Sequence, residues 1–453
     1  RRYIWPKTAQ KDPKQIPVNW DLIKNFISSL PWPLTNAQKK AIYEIINDLA
    51  KPFPMSRLLE GDTGSGKTVV AAAAVLHAVE AGFQACLVAP TEILARQHFQ
   101  TFSKILKSFG ITPSILIGSL TAKDKRETAE KLKNGKIQFI IGTHALLQEK
   151  IVFKKLGLAI IDEQHRFGVR QREILKTYGS PHVLSLTATP IPRTLALILY
   201  GDQDLSVLDE MPPGRQKIIT RIVPEEKRLE AYKWISKQIE QGSQVFIIFP
   251  LIDESPNLQV KAATTEWERL KNNIFPQFKV GLLHGQLSAN DKALTMRDFS
   301  EGKIQILVST AVVEVGVDVP SATIMMIEGA ERFGLAQLHQ FRGRVGRGSD
   351  QSYCLLFPTL QNPQILKRLH ALVKYDSGFR LAELDLQIRG SGEIYGTAQS
   401  GIPDLKMASL TDAITIKQTR EAAEMIIEQD PELKTYEKLK EKISEQENVA
   451  IDY

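Results

Sequence analysis

The chain has 453 residues, of which 43% are hydrophobic, and a formal net charge of +7. This length accommodates about three domains, and the composition is that of an ordinary globular protein that can bury several cores. The basic excess permits a polyanionic partner without requiring one, whereas the longest apolar run, residues 69–79, is too short to span a membrane.

Simple features of the sequence also predict the compartment and the state of the cysteines. We find no signal peptide, so we expect a cytoplasmic protein without a membrane partner. Cys86 and Cys354 each lie in an apolar run, which predicts two buried, reduced strand residues rather than a disulfide or a metal site. Because the chain opens without Met, we expect it to be the remainder of a longer polypeptide.

Four segments follow one another along the chain. Residues 1–33 contain five prolines and three tryptophans and predict an irregular connecting arm. Residues 34–210 begin with a helix capped by Thr35 and then alternate short apolar runs with helical stretches, which predicts a parallel sheet buried on both faces. Residues 211–360 repeat this alternation after an MPPGRQ break, and residues 361–453 predict a helical region with a Lys/Glu-rich tail.

The predicted strands are the apolar runs of the two alternating series. Each run is short and continuous, as expected for parallel strands covered by helices on both faces. The runs are SRLLE, ACLVAP, SILIG, FIIGT, LAIIDE and VLSLTAT in the first series, and QVFIIFP, VGLLHG, QILVST, TIMMIEG and SYCLLFP in the second.

The segment GDTGSGKT matches the phosphate-binding pattern G-x-x-x-x-G-K-[ST]. Its glycines let backbone N–H groups surround an anion, and the following Ala/Val run predicts a helix whose N-terminus also faces the phosphate. A Gly/Ser turn with a chance lysine is the alternative, but the flanking strand and helix favour the phosphate loop. Lys67 is predicted to neutralise the β- and γ-phosphates, and the Thr68 hydroxyl to ligate Mg²⁺. The predicted phosphate-binding residues are Gly61, Asp62, Thr63, Gly64, Ser65, Gly66, Lys67 and Thr68.

Two further motifs supply the groups that hydrolysis needs. AIIDEQH ends an apolar strand in two carboxylates, so Asp162 is predicted to hold Mg²⁺ and Glu163 to deprotonate the attacking water. An exposed acidic pair at a strand end is the alternative. In QFRGRVGRG, Arg344 and Arg347 are predicted to stabilise transition-state charge on ATP from the second lobe, whereas Arg342 is left open. The alternative for this motif is a general phosphate-binding patch for nucleic acid.

The order of these segments resembles that of the superfamily-two helicases, over roughly residues 34–400. The resemblance implies two tandem RecA-like parallel-sheet domains, followed here by a helical C-terminal region. It implies that Gln38 recognises adenine. It also implies that His165 bridges to the Thr187 loop or to Gln340, and Gln340 is counted among the catalytic residues. The implied nucleotide contacts of the second lobe are Gly316 and Asp318, and the implied DNA-phosphate contacts are Thr91, Arg96, Thr143, His284 and Thr310.

DEQHRFG and TATPIPRTL resemble the RecG family of branch-migrating DNA helicases. LDLQIRGSGEIYGTAQSG is similar to the translocation motif that this family shares with the transcription-repair coupling factor, and the residues carried over are Arg389, Glu393 and Gln399 on a helical hairpin and loop. The family's N-terminal wedge, an oligonucleotide-binding fold, has no counterpart here, since residues 1–33 match only its linker. We therefore interpret the chain as the motor portion.

Three functions are consistent with this interpretation. The first is an ATP-dependent DNA helicase or duplex translocase acting on branched DNA in fork reversal and Holliday-junction branch migration. A transcription-repair type of translocase and a nucleotide-gated DNA-binding clamp are the alternatives. The expected cofactors are ATP and Mg²⁺, and the expected partners are duplex and branched DNA, contacted mainly at phosphates, and a single-stranded-DNA-binding protein. A monomer associated with the bacterial nucleoid is also expected.

Overall fold

A computed structural model describes most of the chain. The described residues are 14–147, 151–163, 180–189, 203–212, 216–250, 256–310, 319–346, 348, 350–360, 362–393, 413–430 and 433–443. Five of the predicted site residues lie outside these ranges, namely His165, Gly316, Asp318, Arg347 and Gln399. Arg389 and Glu393 lie in a described helix, but their side chains are not described.

The first lobe is built on a seven-stranded parallel sheet. Its strand order is β3-β4-β2-β5-β6-β1-β7. All six predicted strands of this lobe are confirmed, and the edge strand β7 was not predicted. The strands are β1 (Ser56–Gly61), β2 (Gln84–Val88), β3 (Ser114–Leu116), β4 (Phe139–Gly142), β5 (Leu156–Asp162), β6 (His182–Thr187) and β7 (Asp204–Leu208).

The second lobe contains a six-stranded parallel sheet in the order β10-β11-β9-β12-β13-β8. The five predicted strands are confirmed, and the short edge strand β8 is again the one that the pattern missed. Both cysteines are buried and free, as predicted. The strands are β8 (Ile219–Ile222), β9 (Gln244–Ile248), β10 (Val280–Leu283), β11 (Ile306–Ser309), β12 (Ala322–Glu328) and β13 (Tyr353–Phe357).

The helices cover these sheets and form the C-terminal region. None of the described helices is both long and apolar enough to cross a membrane. In chain order they are α1 (Trp20–Ser29), α2 (Asn36–Leu49), α3 (Lys67–Glu80), α4 (Glu92–Ile105), α5 (Ala122–Lys133), α6 (Arg228–Glu240), α7 (Pro256–Arg269), α8 (Ala289–Ser300), α9 (Leu335–Arg342), α10 (Pro363–Lys374), α11 (Gly378–Glu393) and α12 (Ala413–Gln429).

The prediction that residues 1–33 are irregular was wrong for α1. Asn19 caps this helix through its side chain, which accepts a hydrogen bond from the Leu22 N–H at 3.0 Å. Ile23 and Phe26 are buried in the core of the first lobe. The prolines on either side of α1 limit its length, and its apolar face is nevertheless sufficient to dock it on the lobe.

The strand order brings the predicted catalytic segments together. Strands β5, β6 and β1 are neighbours in the first sheet, and their carboxyl ends carry Asp162, Thr187 and Gly61. In parallel α/β sheets, ligands bind outside this edge of the sheet. In the second lobe, α9 lies across the seam from the same edge, because its Gln340 donates to Thr189 at 2.7 Å.

Candidate active site at the lobe seam

The phosphate loop has the backbone that its sequence predicts. Gly64 and Gly66 have φ angles of 84° and 89°, in the left-handed region that glycine adopts without strain. A Cβ on Gly66 would lie 2.2 Å from Nε2 of Gln38, so the loop also lacks room for any other residue there. The Lys67 ammonium donates to the carbonyls of Gly61 at 2.5 Å and Asp62 at 3.0 Å. The loop and the start of α3 therefore present N–H groups and a cation to an anion, which fits a nucleotide phosphate.

Gln38 supports this loop from α2. Its side-chain oxygen accepts from the Thr35 N–H at 2.9 Å, which completes a capping box, and its Nε2 donates to the Ser65 carbonyl at 2.8 Å. The side chain is buried, so Gln38 is not an amide on the helix surface. The amide thus joins the start of α2 to the phosphate loop, and the adenine contact implied by the resemblance stays a prediction.

Asp162 is held by a histidine that the sequence analysis missed. The Nε2 atom of His98, on α4, lies 2.7 Å from Oδ2 of Asp162, and both side chains are nearly buried. Burial raises the pKa of Asp162, but the hydrogen bond and the field of His98, together with Lys67, outweigh burial and leave this pKa below its ordinary value. Asp162 is thus an oriented, ionised carboxylate beside the phosphate loop, as a metal ligand must be.

Glu163 differs from its neighbour in backbone conformation and in the direction of its pKa shift. Its φ of 52° is one of three positive φ angles among the described non-glycine residues, and such strain clusters at active sites. Burial and the adjacent Asp162 raise the pKa of Glu163, while Lys67 and Arg344 oppose that rise. A carboxyl whose pKa is raised accepts a proton more readily, which suits a general base.

The residues also fit a magnesium ion. The described residues contain no group of three or more His, Cys, Asp or Glu side chains that could hold a metal by themselves. Magnesium usually binds one or two carboxylates and completes its coordination with substrate phosphates and water. Asp162 and the half-buried Thr68 are suited to an ion that is bound together with a nucleotide.

The second lobe contributes Arg344 and Gln340 to this site. Arg344 is buried, and its charge lowers the pKa values of both Lys67 and Glu163, although burial has the largest effect on each. The guanidinium therefore lies close to the phosphate loop and to the candidate base. A Cβ on the adjacent Gly343 would lie 3.1 Å from Cβ of Thr63, so the two lobes already touch here.

Arg342, which the sequence left open, has a different environment. It is buried, and Nη1 donates to the carbonyls of Leu372 at 2.7 Å and Tyr375 at 2.9 Å, while Nη2 donates to that of Asp376 at 2.9 Å. Carbonyls at the end of α10 are a favourable site for a cation. Arg342 therefore fixes the turn between α10 and α11 and is not part of an open phosphate-binding patch.

Asp62 does not point its carboxylate toward the phosphate site. Its Oδ1 atom lies 2.9 Å from Nε2 of His339, on α9, and its Oδ2 atom accepts from the Gly378 N–H at 3.0 Å, at the start of α11. The predicted role of Asp62 in phosphate binding is thereby limited to its backbone, because a carboxylate beside a triphosphate would repel it.

Of the predicted DNA contacts in the two lobes, four lie just after strands and Arg96 lies within α4, and the five differ in exposure. Arg96 is exposed on α4, where it donates to the Ser119 hydroxyl at 3.3 Å, and Thr91 caps the same helix. His284 is half-buried after β10. Thr143 and Thr310 are only 4% and 3% exposed, so a DNA contact at these two positions would have to come from neighbouring backbone groups.

Three family models match the chain in succession. The DEAD/DEAH box helicase model matches residues 35–198, the helicase conserved C-terminal domain matches residues 227–349, and the model for domain 3, C-terminal, of the ATP-dependent DNA helicase RecG matches residues 375–453.

Curated relatives and solved structures agree with these matches. The chain is 50% identical over 425 residues to the ATP-dependent DNA helicase RecG of Synechocystis sp., covering 93% of this chain and 51% of the relative. It is 48% identical over 442 residues to that of Aquifex aeolicus, covering 95% and 55%. A structure of RecG bound to a three-way DNA junction superposes with a TM-score of 0.78 at 42% identity, over 93% of this chain and 55% of that one. The chain thus spans about half the length of these relatives.

Proposed function

The chain belongs to the RecG family of ATP-dependent DNA helicases, and from this premise we propose that it is the ATP-driven motor of a translocase acting on branched duplex DNA. Fork reversal and Holliday-junction branch migration are the reactions that we assign to it. The observation that carries the proposal is the convergence of Lys67, Asp162 and Glu163 from one lobe with Arg344 from the other. The relative whose structure contains a three-way DNA junction supports the substrate class.

The residues of the first lobe prepare the nucleotide for hydrolysis. The phosphate loop binds the β- and γ-phosphates through its N–H groups and Lys67, which must leave the carbonyls of Gly61 and Asp62 to do so. Asp162, oriented by His98, and Thr68 would hold a magnesium ion, which would neutralise phosphate charge. Glu163 orients the attacking water and takes its proton, for which its raised pKa is suited.

The second lobe makes hydrolysis depend on the distance between the lobes. Arg344 stabilises the charge that spreads over the transferred phosphoryl group, which is the arginine-finger role; we assign Arg347 to the same role. Gln340 donates a hydrogen bond to Thr189 across the seam, so it responds to the position of the loop that follows β6. Because these groups belong to different lobes, closure completes the site and opening after hydrolysis resets it.

We propose that the DNA partner is bound mainly through phosphates. Arg96, Thr91 and His284 lie on two lobes, so relative movement of the lobes would move these contacts along a strand. Phosphate contacts release counterions, so affinity should fall steeply with salt and show little sequence preference.

We further propose a cytoplasmic, nucleoid-associated monomer that works with a single-stranded-DNA-binding protein.

The test is ATP hydrolysis with and without a forked or linear duplex, combined with displacement of a triplex-forming strand. Wild-type hydrolysis should increase with DNA and should displace the third strand. Lys67→Ala and Glu163→Gln should each abolish turnover without loss of folding, since they remove the phosphate cation and the base. Undiminished hydrolysis in Glu163→Gln would remove the base assignment, and hydrolysis without strand displacement would favour the nucleotide-gated clamp.

A further inference from the structure

The carboxylate of Asp62 connects the phosphate loop to two elements outside the first lobe. It is 7% exposed, and so is His339. His339 lies on α9 and Gly378 begins α11, 277 and 316 residues further along the chain than Asp62. Nucleotide binding does not require a phosphate-loop side chain that bonds to both α9 and α11. The helicase resemblance also implies no role for these two hydrogen bonds.

Arg342 fixes the direction of the hydrogen bond between His339 and Asp62. Nη2 of Arg342 lies 2.8 Å from Nδ1 of His339, and a guanidinium can only donate. Nδ1 must therefore accept, which leaves the proton of the neutral imidazole on Nε2, directed at Oδ1 of Asp62. The same guanidinium holds the carbonyls that end α10, so the phosphate loop, α9 and the turn into α11 form one hydrogen-bonded set.

Gly378 is packed too closely to be replaced without moving Asp62. A Cβ at this position would lie 2.2 Å from Oδ1 of Asp62 and 2.6 Å from Nε2 of His339. Its φ is not in the left-handed region, so close packing, and not backbone conformation, is what requires glycine. The N–H at the start of α11 also carries the positive end of the helix dipole, which favours the Asp62 carboxylate.

Helix α11 begins at this contact and contains residues 384–393, the first part of the segment that resembles a translocation motif. Its 16 residues correspond to a rod of about 24 Å at 1.5 Å per residue. Leu381, near its start, shares a core cluster with Leu338 of α9 and Leu372 of α10. The end of α11 that contacts the phosphate loop is therefore packed in the core of the second lobe. Arg389 and Glu393 lie at its other end.

We propose that Asp62, His339 and Gly378 are positioning residues that transmit the state of the phosphate loop to α11, so that ATP hydrolysis responds to DNA held at the far end of that helix. This inference rests on the proposed function. Lys67 supplies the link to the nucleotide, because it donates to the Asp62 carbonyl and must leave it when phosphate is bound. When Lys67 leaves this carbonyl, the Asp62 peptide shifts, and the position of the Asp62 carboxylate, which accepts from the Gly378 N–H at the start of α11, shifts with it.

The experiment compares hydrolysis by the full chain with and without a linear duplex of about five helical turns. His339→Leu should keep DNA-free hydrolysis within about twofold of wild type but lower the stimulation by DNA about tenfold, within the roughly 5–150-fold range of coupling between two sites. His339→Gln should restore most of the stimulation, because its amide can accept from Arg342 and donate to Asp62. Gly378→Ala is the second disruptive variant and should behave like His339→Leu.

A double-mutant cycle and a control substitution at another histidine distinguish a loss of coupling from general damage to the fold. Asp62→Asn combined with His339→Leu should lower the stimulation no more than the stronger single variant, since the two residues make one contact. His370→Leu, at an exposed histidine on α10, should match wild type. DNA affinity, measured by fluorescence anisotropy at fixed salt, should be unchanged in all variants.

The possible results distinguish this inference from the proposed function. Equal losses of DNA-free and DNA-stimulated hydrolysis in both His339→Leu and Gly378→Ala would mean that the contact only supports the seam, and would overturn the coupling role. Full stimulation in both variants would overturn it as well. A wild-type chain whose hydrolysis ignores DNA would overturn the proposed function itself.

Discussion

His98 gives the sharpest test of how the active site is held together. It lies on α4, two residues after Arg96, and its Nε2 atom is 2.7 Å from Oδ2 of Asp162. The exposed fractions of the two side chains are 12% and 11%, so water replaces this hydrogen bond poorly. We predict that His98→Ala raises the magnesium concentration needed for ATP hydrolysis, because Asp162 loses the group that orients it.

The size of this effect follows from the type of bond. A hydrogen bond to a charged group contributes about 1.5–3 kcal/mol. At about 1.36 kcal/mol per factor of ten, this corresponds to a rise of roughly 10–150-fold in the apparent magnesium constant. His98→Gln keeps a donor of similar reach, so its rise should be smaller than that of His98→Ala.

The assay is a magnesium titration of DNA-stimulated hydrolysis at fixed ATP. The apparent magnesium constant and the maximal rate are fitted separately, and His370→Ala serves as the control on a histidine outside the site. A lower maximal rate with an unchanged magnesium constant would show that His98 acts on something other than the metal carboxylate. That result would contradict the assignment of Asp162 as the ion's ligand.

Two further predictions concern stability and the contact between lobes. Glu163→Gln should raise the free energy of unfolding at pH 7, because the raised pKa of Glu163 makes its ionisation in the fold unfavourable, a penalty that vanishes below the ordinary value of 4.5. Asp162→Asn should lower it, because the lowered pKa of Asp162 contributes stability that is lost as pH falls; urea unfolding measures both, and changes of the same sign would contradict the charge assignments. Thr189→Val should reduce DNA-stimulated turnover about 2–12-fold by removing the hydrogen bond from Gln340, whereas Thr189→Ser should retain it, and equal rates in the two variants would exclude a role for that bond.

The parts of the fold that could be predicted are those that depend on local physics. Eleven apolar runs marked the strands of both sheets, because strands covered on both faces must be continuously apolar. Thr35 marked the start of α2, because its hydroxyl caps the helix. The two edge strands, β7 and β8, were missed because DLSVL and ITRI mix polar with apolar residues. Helix α1 was missed because the prolines around it dominated the pattern.

The contacts between segments could not be predicted in this way. His98 and Asp162 lie 64 residues apart, and nothing in the local pattern around His98 indicates its partner. The same is true of His339, whose neighbours in sequence suggest only a helix. One sequence shows which residue types are present, but the choice of partner depends on the packing of elements whose separation in the chain is arbitrary.

Arg342 and Arg344 show most clearly what the sequence alone cannot predict, because a single glycine separates them in the motif QFRGRVGRG. Residue type and spacing make them equivalent candidates for a phosphate. In the structure α9 ends at Arg342, which caps the end of α10 and holds His339, while Arg344 lies beyond the end of the helix near Lys67 and Glu163. The close approach of Gly343 to Thr63 places the end of the helix directly against the phosphate loop. The end of α9 therefore separates the two arginines, because Arg344 lies near the phosphate loop and Arg342 lies against the turn between α10 and α11. One short segment of the second lobe thus contacts both the phosphate loop and the C-terminal helices.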